Sequence, residues 1–229
     1  MATKAGPANL ILASIPAETY RRMKIELVSL ELGQVLCEPW ALASHVYFPN
    51  DSLISLIAAA EGGRGVEVGM VGYQGMFGVS LALGVGSRSP ARALVQAAGT
   101  AMRLSAARFS AELDRNVPLR RAAARHAYVS MATAMQVAAC NNSHVVDERC
   151  ARWLLMTSDH LGTNAFFLTQ ELLAQMLGVR RGGVSEAAAR LQKRGLVSYR
   201  RGRMTILDRA GLIAASCRCY ATIRNLTKN

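Results

Sequence analysis

The chain lacks most of what would have set its class at once. It has no apolar run approaching the roughly 20 residues needed to span a bilayer, and its N-terminus lacks the basic start and continuous apolar core of a signal peptide. A cytoplasmic protein with no membrane partner is therefore expected. There is no Walker loop, no GxSxG elbow and no metal-ligand spacing, so no catalytic role and no cofactor are expected. His144, Asp147 and Glu148 lie close together, but at a helix start, where the dipole favours acids anyway. The five cysteines, Cys37, Cys140, Cys150, Cys217 and Cys219, are scattered and odd in number, which argues against a disulfide framework. Cys217 and Cys219 form a lone CxC that no second cysteine pair or nearby histidine completes in the sequence; reduced thiols on a last helix, and no metal, are expected. Internal repeats and low-complexity tracts are absent. Acids are scarce too, 15 against 27 Lys and Arg, which leaves a net charge of +12. Such an excess points to an anionic partner, and without a membrane segment nucleic acid is favoured.

What is present is length and apolar content for two cored domains, 229 residues at 51% hydrophobic. The most informative stretch runs from Phe167 to Arg203. Thr169 can cap a helix whose first turn holds Gln170 and Glu171. Leu172, Leu173, Met176 and Leu177 recur at helical spacing, and Gly178 follows where a left-handed residue ends a helix. Val179 plugs the turn. A second helix starting near Arg180 buries Val184, Ala187, Ala188 and Leu191 and exposes Arg180, Arg181, Ser185, Glu186 and Arg190. Small Ala174 lets the helices cross closely. Two short strands around Arg201-Gly202 then form a wing that offers Arg200, Arg201 and Arg203 to phosphates. Between Thr169 and Arg203 there are eight Lys or Arg and two acids, an excess of six positive charges. This is the pattern of a winged helix-turn-helix that reads duplex DNA. Gly182-Gly183 weakens the start of its second helix by roughly 1 kcal/mol per glycine relative to alanine.

The rest is arranged around that module. Residues 1 to about 30 read as helical through Leu10, Leu12, Ile15, Tyr20, Met23 and Leu27, interrupted at Pro16. From about 31 to 108, short apolar runs alternate with turn residues, which suggests a small jelly-roll-like β domain. Asp51, after Pro49-Asn50, and Gly62-Gly63 are expected at hairpin turns. A long helix starts at Asn116-Val117-Pro118 and reaches about Cys140. Its Ala124, Tyr128, Met131, Met135 and Ala138 make a narrow apolar seam, suited to packing on the chain's own β domain or on a second copy in a two-fold dimer. The dimer is preferred, because a helix-turn-helix reads two half-sites with two copies. Asn141-Asn142-Ser143 is expected to break that helix, with a hinge at 141–146. An amphipathic helix opening at Val146-Asp147 and ending near Gly162 is expected to pack the helix-turn-helix. A final helix spans 208–224, capped by Asp208. The expected fold class is α+β: a jelly-roll-like β-roll sensor at 1–115, a dimerisation helix at 116–142 and a winged helix-turn-helix at 143–229.

In that order of parts, with ERCARWLL followed by TQELLAQMLGVRR and a wing, the chain resembles the Crp–Fnr superfamily of bacterial transcription regulators over nearly its whole length. The resemblance implies a homodimer with a cyclic-nucleotide-binding-like domain, reading a palindrome, with RNA polymerase as a further partner in activators. It implies a base-reading role for Arg181, a second reader at Glu186, and phosphate contacts from Thr169 and Arg180; Gly182 departs from the family pattern beside Gly183. The effector pocket implied by the resemblance is degenerate. Gly72-Tyr73-Gln74-Gly75 keeps both glycines of the ribose turn but has Tyr73 where a carboxylate belongs, and a second register at Gly78 also lacks it. Arg88-Ser89 forms the phosphate-binding pair but precedes Pro90, with Arg92 as a competitor. No cofactor is expected, and a cyclic nucleotide is the one ligand that the resemblance leaves open. A cluster of the oxygen-sensing members is excluded, since Cys37 is the only cysteine before residue 140, and haem has only unsupported Cys37 and His45. The competing reading is a ligand sensor that acts through protein–protein contacts, with vestigial DNA binding.

Overall fold

The computed structural model describes residues 8–59 and 65–228. The Gly62-Gly63 turn lies outside the described residues. The chain forms two compact units, Met1–Leu56 with Met70–Ser130, and Ile57–Gly69 with Met131–Asn229. Among the described residues no helix is long and apolar enough to cross a membrane.

The first unit opens with α1 (Leu10–Ala13) and α2 (Ala17–Arg22). The helix expected as far as Leu27 ends earlier. Lys24 has φ 49°, which turns the chain, and Leu27 lies in strand β1 (Glu26–Leu30) opposite Met102. Strand pairing here overrides helical spacing. Strands β2 (Val35–Cys37), β3 (His45–Pro49), β4 (Leu53–Ala58) and β5 (Val66–Val71) follow, then a one-turn helix α3 (Val79–Ala82) that the alternating texture concealed. Strands β6 (Arg92–Ala97) and β7 (Gly99–Ser105) complete two sheets, ordered β1-β7-β3 and β2-β6-β4-β5. Both pairings of β7 are antiparallel. Alternation assigns the faces. Tyr47 and Ala101 point into a core with Ile54, Val71, Ala93 and Val95 of the second sheet. Val46, Phe48 and Leu104 point the other way, against Leu12, Phe109, Leu119 and Ala123 of the helices. Asp51 does not sit in a hairpin. Because β3 and β4 belong to different sheets, its turn carries the chain from one to the other. Its carboxylate accepts from the Thr100 amide at 2.6 Å and the Thr100 hydroxyl at 2.8 Å.

Helix α4 (Ala106–Arg115) leads to the long α5 (Val117–Ser143), whose start is capped by Asn116 accepting from the Leu119 amide at 2.8 Å. The helix buries Leu119, Ala123, Ala127, Val137 and Cys140. The other seam, Ala124, Tyr128, Met131, Met135 and Ala138, is exposed along its whole length. Asn141–Ser143 continue the helix rather than break it, and the interruption is confined to His144-Val145. The His144 amide still donates to the Cys140 carbonyl at 3.1 Å, so the final turn stays wound.

In the second unit, α6 (Val146–Leu161) is central. Every residue from Arg149 to Ser158 is buried, so it is enclosed on all sides rather than amphipathic. Strand β8 (Ala165–Phe167), α7 (Gln170–Leu177), α8 (Arg181–Lys193), β9 (Val197–Arg200) and β10 (Arg203–Ile206) follow. The final helix is two helices, α9 (Arg209–Ala215) and α10 (Cys219–Lys228). Asp208 does cap α9, accepting from the Gly211 amide at 2.9 Å. Ser216 is extended, with φ -86° and ψ 158°, so the helix cannot continue through it.

Candidate nucleic-acid interface

The two helices of the turn are built by local chemistry and then locked by distant residues. The Thr169 hydroxyl accepts from the Leu172 amide at 3.0 Å and starts α7. Gly178 ends it with φ 62°. A side chain there would be strained by that backbone conformation, and its Cβ would come 2.9 Å from Val66 Cγ2. Behind the turn, the buried Arg149 guanidinium donates to the Leu177 carbonyl and satisfies an orphan acceptor at the end of α7. Leu173, Ala174, Met176 and Leu177 of α7 are buried, as are Val184, Ala187, Ala188 and Leu191 of α8. The stripe of α8 is the expected one, whereas in α7 the expected Leu172 is half-buried and Ala174 is buried beside Leu173, Met176 and Leu177.

Helix α8 begins with Arg180 as its flanking residue and runs through Gly182 and Gly183 without interruption. Arg180, Arg181 and Glu186 are exposed. Ser185 is half-buried, and its hydroxyl lies 2.8 Å from Gln170 Oε1 and 3.0 Å from the Arg181 carbonyl, tying α7 to α8. Arg190 is differently placed from its neighbours. It grips Asp147 of α6 through two bonds of 2.6 Å and also reaches Glu186 at 3.4 Å. The Asp147 carboxyl is held low by that guanidinium. Arg190 thus fastens α8 to α6, a pairing between residues 43 apart that no local signal announces.

The wing is a two-residue hairpin. Arg201 has φ 49° and Gly202 φ 77°, both positive, as a turn matching the right-handed twist of its strands requires. Arg203 pairs directly opposite Arg200, so the two guanidinium side chains share one face of the ribbon. Strand β8 adds a third strand to β10, which the sequence did not suggest. The ring of Phe167 lies against the turn, leaving no room for a Cβ on Gly202.

Charge decides what this surface can do. Arg180, Arg181, Arg200, Arg201 and Arg203 are exposed, and among the described residues none has an acidic partner. Like charges placed directly opposite, as in Arg200 and Arg203, destabilise a bare hairpin. An anion such as a phosphodiester removes that penalty.

The candidate effector residues fall into two groups with separate neighbours. The Gly72–Gly75 segment is a tight turn closed by the Gly75 amide on the Gly72 carbonyl at 3.0 Å. Its Tyr73 carbonyl accepts from Leu10 at 2.8 Å, its Gly75 carbonyl from the Asn9 amide group at 2.8 Å, and Gln74 bonds the Tyr73 hydroxyl at 3.0 Å. A Cβ on Gly75 would collide with the His126 imidazole. Gly78, with φ 118°, starts α3 and lies against Val46. The other group sits beside residues 38–41. Arg88 donates to the Trp40 carbonyl at 2.8 Å, Ser89 to the Ala91 carbonyl at 2.7 Å, and Arg92 lies 3.2 Å from Glu38.

The structure overturns the view that nothing accompanies the CxC. Cys140 and His144, from the end of α5, come together with Cys217 and Cys219. The Cys140 and Cys217 sulfurs are 3.5 Å apart. That hydrogen bond, with help from Arg152, holds the Cys140 thiol well below its ordinary range. By contrast, burial in apolar surroundings pushes Cys150 up to about 12, and it is an inert core residue.

Residues 148–215 match the model of the Crp-like helix-turn-helix domain. No curated protein matches the chain. Several solved structures share its fold. A putative Crp/Fnr-family transcriptional regulator from Eubacterium rectale is 16% identical over 97% of this chain and 99% of its own, with a TM-score of 0.68. FixK2 from Bradyrhizobium japonicum is 15% identical over 84% of this chain and 98% of its own, with a TM-score of 0.72. The c-di-GMP responsive global regulator CLP of Xanthomonas campestris is 17% identical over 83% of this chain and 99% of its own, with a TM-score of 0.66. Residues 148–215 are thus similar to the Crp-like helix-turn-helix domain, and the chain as a whole shares its fold with these Crp/Fnr-type structures.

Proposed function

We propose that the protein is a homodimer that reads a palindromic operator and needs no small effector to do so. The observation that carries this reading is that Arg180, Arg181, Arg200, Arg201 and Arg203, at the start of α8 and on the wing, are exposed with no acidic partner among the described residues, whereas Arg190 is paired. Arg181, at the start of α8, takes the base edge, where a guanidinium bonds two acceptors of guanine. Glu186 is the second reader. Thr169, Arg180, Arg200, Arg201 and Arg203 meet phosphates, and Gly183 admits the backbone of the duplex. The exposed seam of α5 supplies the two-fold contact, which sets two recognition helices about 34 Å apart. The effector residues are engaged with their own chain, which supports constitutive binding, with activity set by abundance. Contact with RNA polymerase would make the protein an activator. It acts by binding, not by catalysis.

The test is a selection from random duplex DNA at about 150 mM salt with no added ligand. A two-fold palindrome is expected to be enriched. Arg181→Ala should then lose about 1–3 kcal/mol of discrimination at one position, while Arg203→Ala weakens all sequences alike and flattens the salt dependence. Weak, sequence-blind binding by the wild type, unchanged by cyclic AMP, cyclic GMP or c-di-GMP, would favour a sensor working through protein contacts instead.

A further inference from the structure

The cysteine cluster stands apart from the DNA surface and has a chemistry of its own. The last turn of α5 presents Cys140, with His144 four residues on. Cys217, in the link between α9 and α10, and Cys219, the first residue of α10, come to the same place. The four potential donor atoms all lie within 4.8 Å of one another. Cys140 Sγ is 3.5 Å from Cys217 Sγ, and Cys219 Sγ is 3.7 Å from His144 Nδ1. A tetrahedral zinc ion with bonds of about 2.3 Å to sulfur and 2.0 Å to nitrogen has ligand-to-ligand edges of about 3.5–3.8 Å. The spacing therefore suits a single ion. An iron–sulfur cluster places several metal atoms between its cysteines and would hold these sulfurs wider apart.

A second observation comes from charge. Arg149 and Arg152 of α6 are buried, at 7% and 3% exposure, and neither has a carboxylate partner among the described residues. The Nε of each lacks a hydrogen-bond partner. The Arg152 guanidinium donates to the Met156 sulfur at 3.2 Å. A buried guanidinium without a counter-charge is costly. Three thiolates around a divalent ion carry a net charge of -1, which supplies that counter-charge. Gln136 completes the surroundings, its side-chain amide donating to Cys219 Sγ at 3.1 Å, as second-layer groups do for metal-bound sulfur.

We propose that Cys140, His144, Cys217 and Cys219 bind one Zn²⁺ in a Cys₃His site that fastens the end of α5 to the start of α10. Three S–H bonds are lost as three S–Zn bonds form, and the protons pass to solvent. The three cysteines are buried and the histidine half-buried. With all four positions filled by protein, the ion has no place for water, so the site is structural rather than catalytic.

The test uses the full chain, reduced, stripped with a chelator and titrated with Co²⁺. One Co²⁺ per chain is expected, with a near-ultraviolet thiolate-to-cobalt charge-transfer band and the visible bands of four-coordinate cobalt, both erased by one equivalent of Zn²⁺. Cys219→Ser and His144→Ala should bind at least tenfold more weakly, and Cys37→Ala, in the other unit, should bind as the wild type does. Gln136→Ala, which spares the buried thiols, should lower affinity by about tenfold and guards against misfolding of the ligand variants. Absence of the charge-transfer band in the reduced wild type would overturn the proposal. So would a band that survives Cys219→Ser, or a Cys140–Cys217 disulfide found by mass spectrometry in protein that takes up no cobalt after reduction.

Discussion

The glycine pair in α8 offers the sharpest check on how the recognition helix is built. Gly182 and Gly183 are the second and third residues of the helix. Neither has a positive φ, and a Cβ added at either meets nothing within 4 Å. Alanine therefore fits both in backbone and in space. Each Gly→Ala change inside a helix is worth about 0.5–1 kcal/mol, and the first turn places these two toward the lower end. The double variant should gain about 1 kcal/mol. For a chain of this size that raises Tm by roughly 2–4 °C, read by calorimetry or circular dichroism without DNA. The same variant, titrated with operator, separates two reasons for the glycines. If they merely loosen the helix start, ordering it in advance tightens DNA binding by up to about fivefold per kcal/mol. If they let a phosphate backbone approach, Tm rises while affinity falls. A lower Tm would refute the reasoning, because it would mean that the two positions are neither helical nor open.

Two further outcomes follow from single side chains. Met135→Glu places a charge in the α5 seam, where Met135 is 65% exposed and Met131 51%. Sedimentation should shift from dimer to monomer, with the stability of the monomer changed by no more than about 0.5 kcal/mol; a persistent dimer would remove the seam from the interface. Burial of His160 on α6 pushes its imidazole down to about 4, and its Nδ1 is enclosed without a partner among the described residues. The unfolded chain has the ordinary value of about 6.5, so it binds the proton that the folded one refuses. Stability should be full above pH 6.5 and fall as pH drops from there toward 4. In His160→Gln, denaturant midpoints should lose that part of the slope, and an unchanged pH profile would discharge His160 from the account.

The helix-turn-helix and its wing were legible because their signals are local. Thr169 caps within three residues, Gly178 ends a helix within one turn, the buried stripes of α7 and α8 repeat every three or four residues, and Arg201-Gly202 closes a two-residue hairpin. Each depends on backbone sterics and periodic burial, which the chain states in order. Where neighbours far along the chain compete, reading by period failed. Leu27 obeyed a strand partner rather than the helix before it, α6 proved buried on every side, and the last helix was cut at Ser216. The seam of α5 was visible as a period, yet a period does not say whether its partner is the same chain. Only the structure shows that the chain's own core leaves this face uncovered. Arg190 with Asp147, and Cys140 and His144 with Cys217 and Cys219, lie 43 and more than 70 residues apart. Sequence order carries the rules of local geometry, so by itself it determined the helix-turn-helix and its wing. Contacts across the chain come from how packed elements exclude water together, so only the tertiary structure decided which arginines remain unpaired and which thiols meet.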